Sequence, residues 1–327
     1  MPVQHEMKRV VVLAGPTASG KTGVALQLAT HIHCEIIGAD ARQIYRYMDI
    51  GTAKPTREEQ TLVPHHCIDI RDPHETYSAA EYSEDARRAI ASISSSSLPI
   101  LVGGSGLYIS AALDGLSTEG TATNPHVREK ILREFDIHGR DEMYNRLQSL
   151  DARAAERYAD KNPRRIQRAL EYIYMTGRPF SSSWDAPRNA ADADVLYIGI
   201  TQEKELLTSL INERCDNMFD NGLVEETQRV LSMGVPRDAQ SLCTVGYYEA
   251  LSVIDGRRTI TEAREDLKNS TRQYAKRQRT WFNKDSRYTW VSGTLESMTA
   301  QILEILKAHG WTSAFVDLQR SNQGRSE

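Results

Sequence analysis

Along the first hundred residues, short, mainly apolar strand candidates alternate with stretches whose apolar positions recur every three or four residues. The candidates fall at residues 10–13, 35–38, 66–70 and 99–102, and the clearest helical stretch between them at 79–94. Continuous apolar runs separated by helical periodicity predict a parallel sheet buried on both faces and joined by right-handed crossovers. The serines at 94–97 read as a polar loop into the fourth strand.

From about residue 118 the alternation stops. Helical periodicity covers 125–135, 141–150, 152–158 and 164–175, with no strand signal among them. Gly177, Pro179 and the serines at 181–183 end this stretch, and one more buried strand is predicted at 195–200. A lone late strand needs a sheet to join. The economical arrangement is one α/β core, residues 1–115 and 191–327, with an all-helical insertion at 116–190; two sequential domains are the alternative. Further helices are predicted at 203–219, stopped by Asn221-Gly222, at 260–283 and at 295–309, with a short strand at 288–291. The polar segment 320–327 is expected to fray.

The first strand runs directly into Gly15, Pro16, Thr17, Ala18, Ser19, Gly20, Lys21 and Thr22, which fit the phosphate-binding signature G-x-x-x-x-G-K-S/T. Strand before and helix after is the context that gives this motif meaning. Glycines let successive N–H groups turn inward, the helix N-terminus adds partial positive charge, Lys21 adds a full charge, and Thr22 offers a hydroxyl to Mg²⁺. The predicted fold class is therefore α/β, a P-loop NTPase-like parallel sheet with a helical insertion. The motif alone leaves open which phosphate is held; ATP is one possibility.

Composition narrows the setting. A chain of 327 residues suits about two domains, and a formal charge of −4 does not announce a nucleic-acid binder. Cys34, Cys67, Cys215 and Cys243 are widely spaced without a C-x-x-C pair, which suits a reducing cytosol. No apolar run approaches membrane-spanning length and the N-terminus has no signal-peptide core, so a cytoplasmic protein is expected.

Candidate chemistry clusters at the strand ends. Asp40 follows the second strand, where ligands of open α/β sheets bind, and is open to three readings: Mg²⁺ ligand, general base or loop-capping residue. The fourth strand ends in Gly103-Gly-Ser-Gly106, where an ATPase usually carries an acidic residue; the glycines suggest a floor for a bulky, flat or apolar group. Two stretches, 161–168 and 272–282, mix cations with polar and aromatic residues. They read as RNA-gripping surfaces or as solvated helix faces. Arg214 can clamp phosphate oxygens, but its spacing does not separate it from a surface arginine. His31, His33 and Cys34, and His65, His66 and Cys67, lack a metal-ligand pattern.

Taken together and in order, the phosphate loop, 40–45, 48–55, Pro64-His-His66, 103–108, 162–171, 245–249 and 272–282 resemble the tRNA dimethylallyltransferases across about residues 9–285. The resemblance implies transfer of a dimethylallyl group from dimethylallyl diphosphate to N6 of the adenosine 3′ of the anticodon, with Mg²⁺ assisting. It implies Asp40 as base, Thr17 near the reacting centre, Lys21 and Arg214 on the diphosphate, and Thr22 on Mg²⁺. It implies tRNA contacts from Asp40, Ala41, Arg42, Gln43, Ser105, Arg164, Arg165, Ile166, Gln167 and Arg168, with the insertion gripping the anticodon stem-loop and a monomer as default. This chain departs from the family at Ala41, where serine is usual, at Ser105, where threonine is common, and at Tyr248, where a cation is usual. Prenylation of free adenine nucleotides and a P-loop kinase or ATPase are the alternative activities.

Overall fold

The structure, a computed structural model, describes residues 7–116 and 124–311; the segment 320–327 lies outside them. The chain divides into two compact units, Met1–Leu113 with Asp192–Glu327, and Asp114–Ala191.

The first unit opens with β1 (Lys8–Ala14), α1 (Lys21–Leu28), β2 (Cys34–Gly38), α2 (Arg57–Leu62), β3 (His65–His66), α3 (Ala79–Ser92), β4 (Leu98–Gly103) and α4 (Gly106–Leu113). The second unit holds α5 (Pro125–Leu150), α6 (Ala152–Arg157), α7 (Pro163–Thr176) and a 3-10 turn, Phe180–Trp184. The chain then returns to the first unit with β5 (Ala193–Ile200), α8 (Lys204–Asp220), α9 (Leu223–Ser232), α10 (Tyr247–Ile254), α11 (Ile260–Phe282), β6 (Thr289–Val291) and α12 (Leu295–Ala308). The six strands form one sheet in the order β3-β2-β4-β1-β5-β6, every pair parallel. This is a P-loop-like α/β fold, with β1 and its phosphate loop at the centre.

Burial explains the order. All six residues of β4 and the last five of β1 are buried, as unbroken apolar strands covered on both faces must be. Val24, Ala25 and Leu28 of α1 pack with Met298, Ile302 and Leu306 of α12 against Val11, Leu13, Ile100 and Ile198. Apolar surface removed from water stabilises the fold by about 25 cal/mol per Å², and this layer contributes to that term.

Two expected boundaries change. The strand expected at 66–70 is only His65–His66, because Cys67 (φ 59°) and Asp69 (φ 55°) turn into the left-handed region and end the extended chain. The helices expected at 125–135 and 141–150 form one run, kinked at Gly139 (φ 76°, ψ 172°).

The helical unit has its own core of Ile131, Met143, Leu147, Ala154, Ala155, Ile166, Ala169 and Leu170. Asn162 caps α7 by accepting the N–H groups of Arg164 (3.1 Å) and Arg165 (3.4 Å), which leaves both cations exposed on the first turn. Ile166, grouped with them by motif, is fully buried and packs into this core, so its side chain does not reach an RNA.

Candidate active site

The phosphate loop leaves β1 at the sheet centre and enters α1 through Gly20 (φ 95°). Gly15 has no room for a side chain, since a Cβ there would lie 2.3 Å from the Ile200 carbonyl. Ala18 takes a left-handed conformation (φ 62°), a strain typical of ligand-binding turns.

Residues remote in sequence hold the loop. Thr17 N–H donates to Gln278 Oε1 at 2.8 Å, and Gln278 Nε2 donates to the Gly104 carbonyl at 2.9 Å. Arg214, on α8, donates from Nη1 to Thr17 Oγ1 at 3.1 Å. Lys21 Nζ folds back to the Pro16 carbonyl at 2.5 Å. Ser19 Oγ, within the loop, is buried and has no hydrogen-bond partner among the described residues.

Thr17, Lys21, Gly104, Arg214 and Gln278 line a cleft of about 370 Å³ together with Thr22, Asp40, Gln43, Gly103 and Glu213. The atoms packed around the Lys21 ammonium withdraw it from water, and with the repulsion of Arg214 they pull its pKa down to about 7, against the attraction of Asp40. Burial likewise lowers the Arg214 pKa, with Asp40 again opposing. Lys21 and Arg214 both lie close to Asp40, and two cations gathered at a phosphate loop favour an anionic ligand.

Asp40 Oδ1 accepts the Arg42 N–H at 2.9 Å, so the loop-capping reading and the cleft-facing reading hold at once. The Arg42 guanidinium stacks on Tyr274, 4.6 Å from the ring centroid. Ala41 N–H donates to Ser105 Oγ at 3.1 Å, which ties the end of β2 to the end of β4. Gln43 Nε2 donates to the carbonyls of Thr52 (3.3 Å) and Ala53 (3.1 Å).

The glycines after β4 are not simply an open floor, because the protein fills much of the space itself. A Cβ would lie 2.0 Å from Ala39 O at Gly103, 2.0 Å from Gln278 Nε2 at Gly104, and 2.1 Å from Trp281 Nε1 at Gly106. Gln278 was hidden in the sequence, because a glutamine within a basic helix looks like any polar position. Its period is the signal that could have found it: Thr271, Ala275, Gln278 and Phe282 form the buried face of α11. The opposite face exposes Lys276, Arg277 and Arg279, none ion-paired among the described residues, and Trp281 is half exposed.

In the helical unit, Arg165 pairs with Asp160 (3.4 Å), and Arg168 with the buried Glu171 (3.0 Å). Gln167 is half-buried. Of the two histidine clusters, His66 pairs with Glu35 (2.8 Å) and His65 Nδ1 donates to the Val63 carbonyl (2.8 Å). Among the described residues no three His, Cys, Asp or Glu side chains gather as a metal site, and no helix is long and apolar enough to cross a membrane.

Residues 43–285 match the family model of the IPP transferases. A tRNA dimethylallyltransferase of Geobacter metallireducens is 42% identical over 308 residues, covering 92% of this chain and 98% of its own. One from Anoxybacillus flavithermus is 41% identical over 88% of this chain and 91% of its own. Among solved structures, the full-length tRNA isopentenylpyrophosphate transferase of Bacillus halodurans is 34% identical, with TM-score 0.69 over 94% of this chain and 98% of its own. A eukaryotic dimethylallyltransferase acting on tRNA, 24% identical, agrees in fold with TM-score 0.78 over 96% of this chain and 82% of its own. With the phosphate loop, Asp40 and Arg214 on one cleft and relatives of this likeness along nearly its whole length, the chain belongs to the IPP transferase family.

Proposed function

We propose that the protein transfers the dimethylallyl group of dimethylallyl diphosphate to N6 of the adenosine on the 3′ side of a tRNA anticodon, releasing diphosphate. The observation that carries this reading is the placing of Lys21, Arg214, Asp40 and the phosphate loop on one cleft.

The adenine exocyclic amine is a weak nucleophile, so attack needs a proton acceptor on one side and a stabilised leaving group on the other. Asp40 accepts the N6 proton as the C–N bond forms. The C–O bond to diphosphate breaks and its electron pair leaves with the diphosphate. Lys21, Arg214 and the loop N–H groups neutralise that charge. Thr17 Oγ1 already accepts from Arg214, so its own proton is free to donate to the bridging oxygen. The target base leaves its stack to enter the cleft.

Mg²⁺ fits the donor set. Among the described residues the Thr22 hydroxyl has no hydrogen-bond partner, and Thr22 lines the cleft beside the phosphate loop. Magnesium needs only one or two such oxygens beside substrate phosphates and water. It would supply charge stabilisation to the diphosphate.

Asp40, the backbone of Ala41, Arg42, Gln43 and Ser105 are the tRNA contacts we assign to the first unit. Arg164, Arg165, Gln167 and Arg168 are those we assign to the helical unit, for the anticodon stem-loop. We take the protein to act on tRNA in the cytoplasm, as a monomer.

Thermal stability with separate ligands tests the substrate assignment. Dimethylallyl diphosphate with Mg²⁺, and an anticodon stem-loop, should each raise Tm. A larger rise with ATP, or with AMP in place of the stem-loop, would contradict it.

A further inference from the structure

Glu226 is a buried carboxylate that the chemistry above leaves unused. It lies on α9 and is 2% exposed. Its oxygens accept the N–H groups of Asp49 (2.8 Å), Ile50 (2.8 Å) and Gly51 (3.0 Å), and the Tyr247 hydroxyl (2.7 Å). Four donors on one buried carboxylate fix a stretch of chain that lies between β2 and α2. A Cβ at Gly51 would meet the Tyr247 ring at 2.6 Å, so this stretch rests directly on α10.

What the stretch holds is Gln43. The two carbonyls that receive Gln43 Nε2 belong to Thr52 and Ala53, immediately after the pinned N–H groups. Carbonyl oxygens accept only the NH₂ end of an amide, so chemistry fixes which way the amide points. Oε1 is left as the free polar atom of a side chain that lines the cleft, with no donor reaching it among the described residues.

We propose that Glu226 is a positioning residue for base selection: by pinning Asp49, Ile50 and Gly51 it fixes the carbonyls that hold Gln43 with Oε1 as an acceptor for the target base. This rests on the reading of the cleft as an adenine site. The exocyclic amine carries two protons; one goes to Asp40 in the reaction, and the other suits Gln43 Oε1. A 6-keto purine instead brings oxygen against oxygen, an unpaired acceptor that the site rejects. Glu226 touches neither substrate; it acts through the 49–53 stretch.

The test is equilibrium binding, without donor, of two anticodon stem-loops that differ only in carrying adenosine or inosine after the anticodon. The wild type should prefer adenosine by about tenfold. Glu226→Gln should cut that preference to about twofold, Tyr247→Phe should move it the same way by less, and Gln43→Leu should cut it at least as far as Glu226→Gln, leaving only the share that Asp40 supplies. In the Gln43→Leu background, Glu226→Gln should change the preference no further, the non-additivity of residues acting through one another. The Tm rise with inorganic diphosphate reports that each variant is folded with its phosphate loop intact. A wild type with no preference, or a Glu226→Gln variant that weakens both stem-loops equally, overturns the inference alone. Binding of neither stem-loop by the wild type overturns the functional reading and the inference together.

Discussion

Arg214 Nη1 donates to Thr17 Oγ1 at 3.1 Å, joining two residues 197 positions apart. One guanidinium thus sets the threonine hydroxyl and places positive charge on the phosphate loop. Arg214→Ala should lower turnover by about 10²–10³-fold, the cost of losing one donor to developing charge. Arg214→Lys should recover only part of it, because an ammonium lacks the planar fork that serves threonine and phosphate together. Steady-state kinetics with saturating RNA check both.

Lys21 gives a pH signature. Its pKa in the folded chain is about 7, below the ordinary 10.5, because burial and Arg214 disfavour the charge. Between those values the unfolded chain holds the proton and the folded chain does not. Stability of the ligand-free protein should therefore rise with pH from about 7 toward 10.5, and Lys21 should add no slope below 7. Bound diphosphate raises the Lys21 pKa again, so the sign reverses for affinity. Binding is strongest below about pH 7 and falls by roughly tenfold per unit above it until the bound pKa is reached. Melting curves across pH with and without diphosphate, subtracting those of Lys21→Met, measure both slopes.

The glycines after β4 separate loop positioning from folding. At Gly104 an added methyl meets the mobile end of Gln278, 2.0 Å away, so Gln278 gives way and releases Thr17 N–H. Gly104→Ala and Gln278→Leu should each weaken diphosphate binding by about tenfold, and the double variant by little more than either. At Gly103 the methyl meets the Ala39 backbone instead, which cannot yield. Gly103→Ala should cost about 1–3 kcal/mol of stability, read in denaturant unfolding.

The phosphate loop and Asp40 were legible in the sequence because each follows an apolar strand, and parallel strands deliver their C-terminal ends to one edge. The helical stretch at 125–175 was equally plain from its period. Gln278 and Glu226 were not legible. Gln278 reaches the site, and Glu226 the 49–51 stretch behind it, from helices far along the chain, and nothing in a helical pattern marks which polar residue turns inward. The short β3 was hidden for another reason: Cys67 and Asp69 adopt left-handed backbone despite side chains that do not demand it, with Asp69 bound to Lys54 (2.6 Å).

Ala41 N–H already has Ser105 Oγ as its partner, so the backbone at this position is satisfied without a hydroxyl on its own side chain. Ala41→Ser should then add an outward hydrogen bond to RNA and leave the fold unchanged. A gain of about 0.5–1.5 kcal/mol corresponds to roughly 2- to 13-fold tighter stem-loop binding at equal Tm.

The measurement that tests the central claim most directly is single-turnover transfer of labelled dimethylallyl from its diphosphate to an anticodon stem-loop, with wild type and Asp40→Asn side by side. Asparagine keeps an acceptor for the Arg42 N–H and so preserves the loop, but it cannot take a proton. The account predicts label on the adenosine after the anticodon, with a rate about 10²–10⁴-fold lower in Asp40→Asn and stem-loop affinity within a few fold of wild type. Transfer at the wild-type rate by Asp40→Asn, or label passing to AMP and not to the stem-loop, would contradict it.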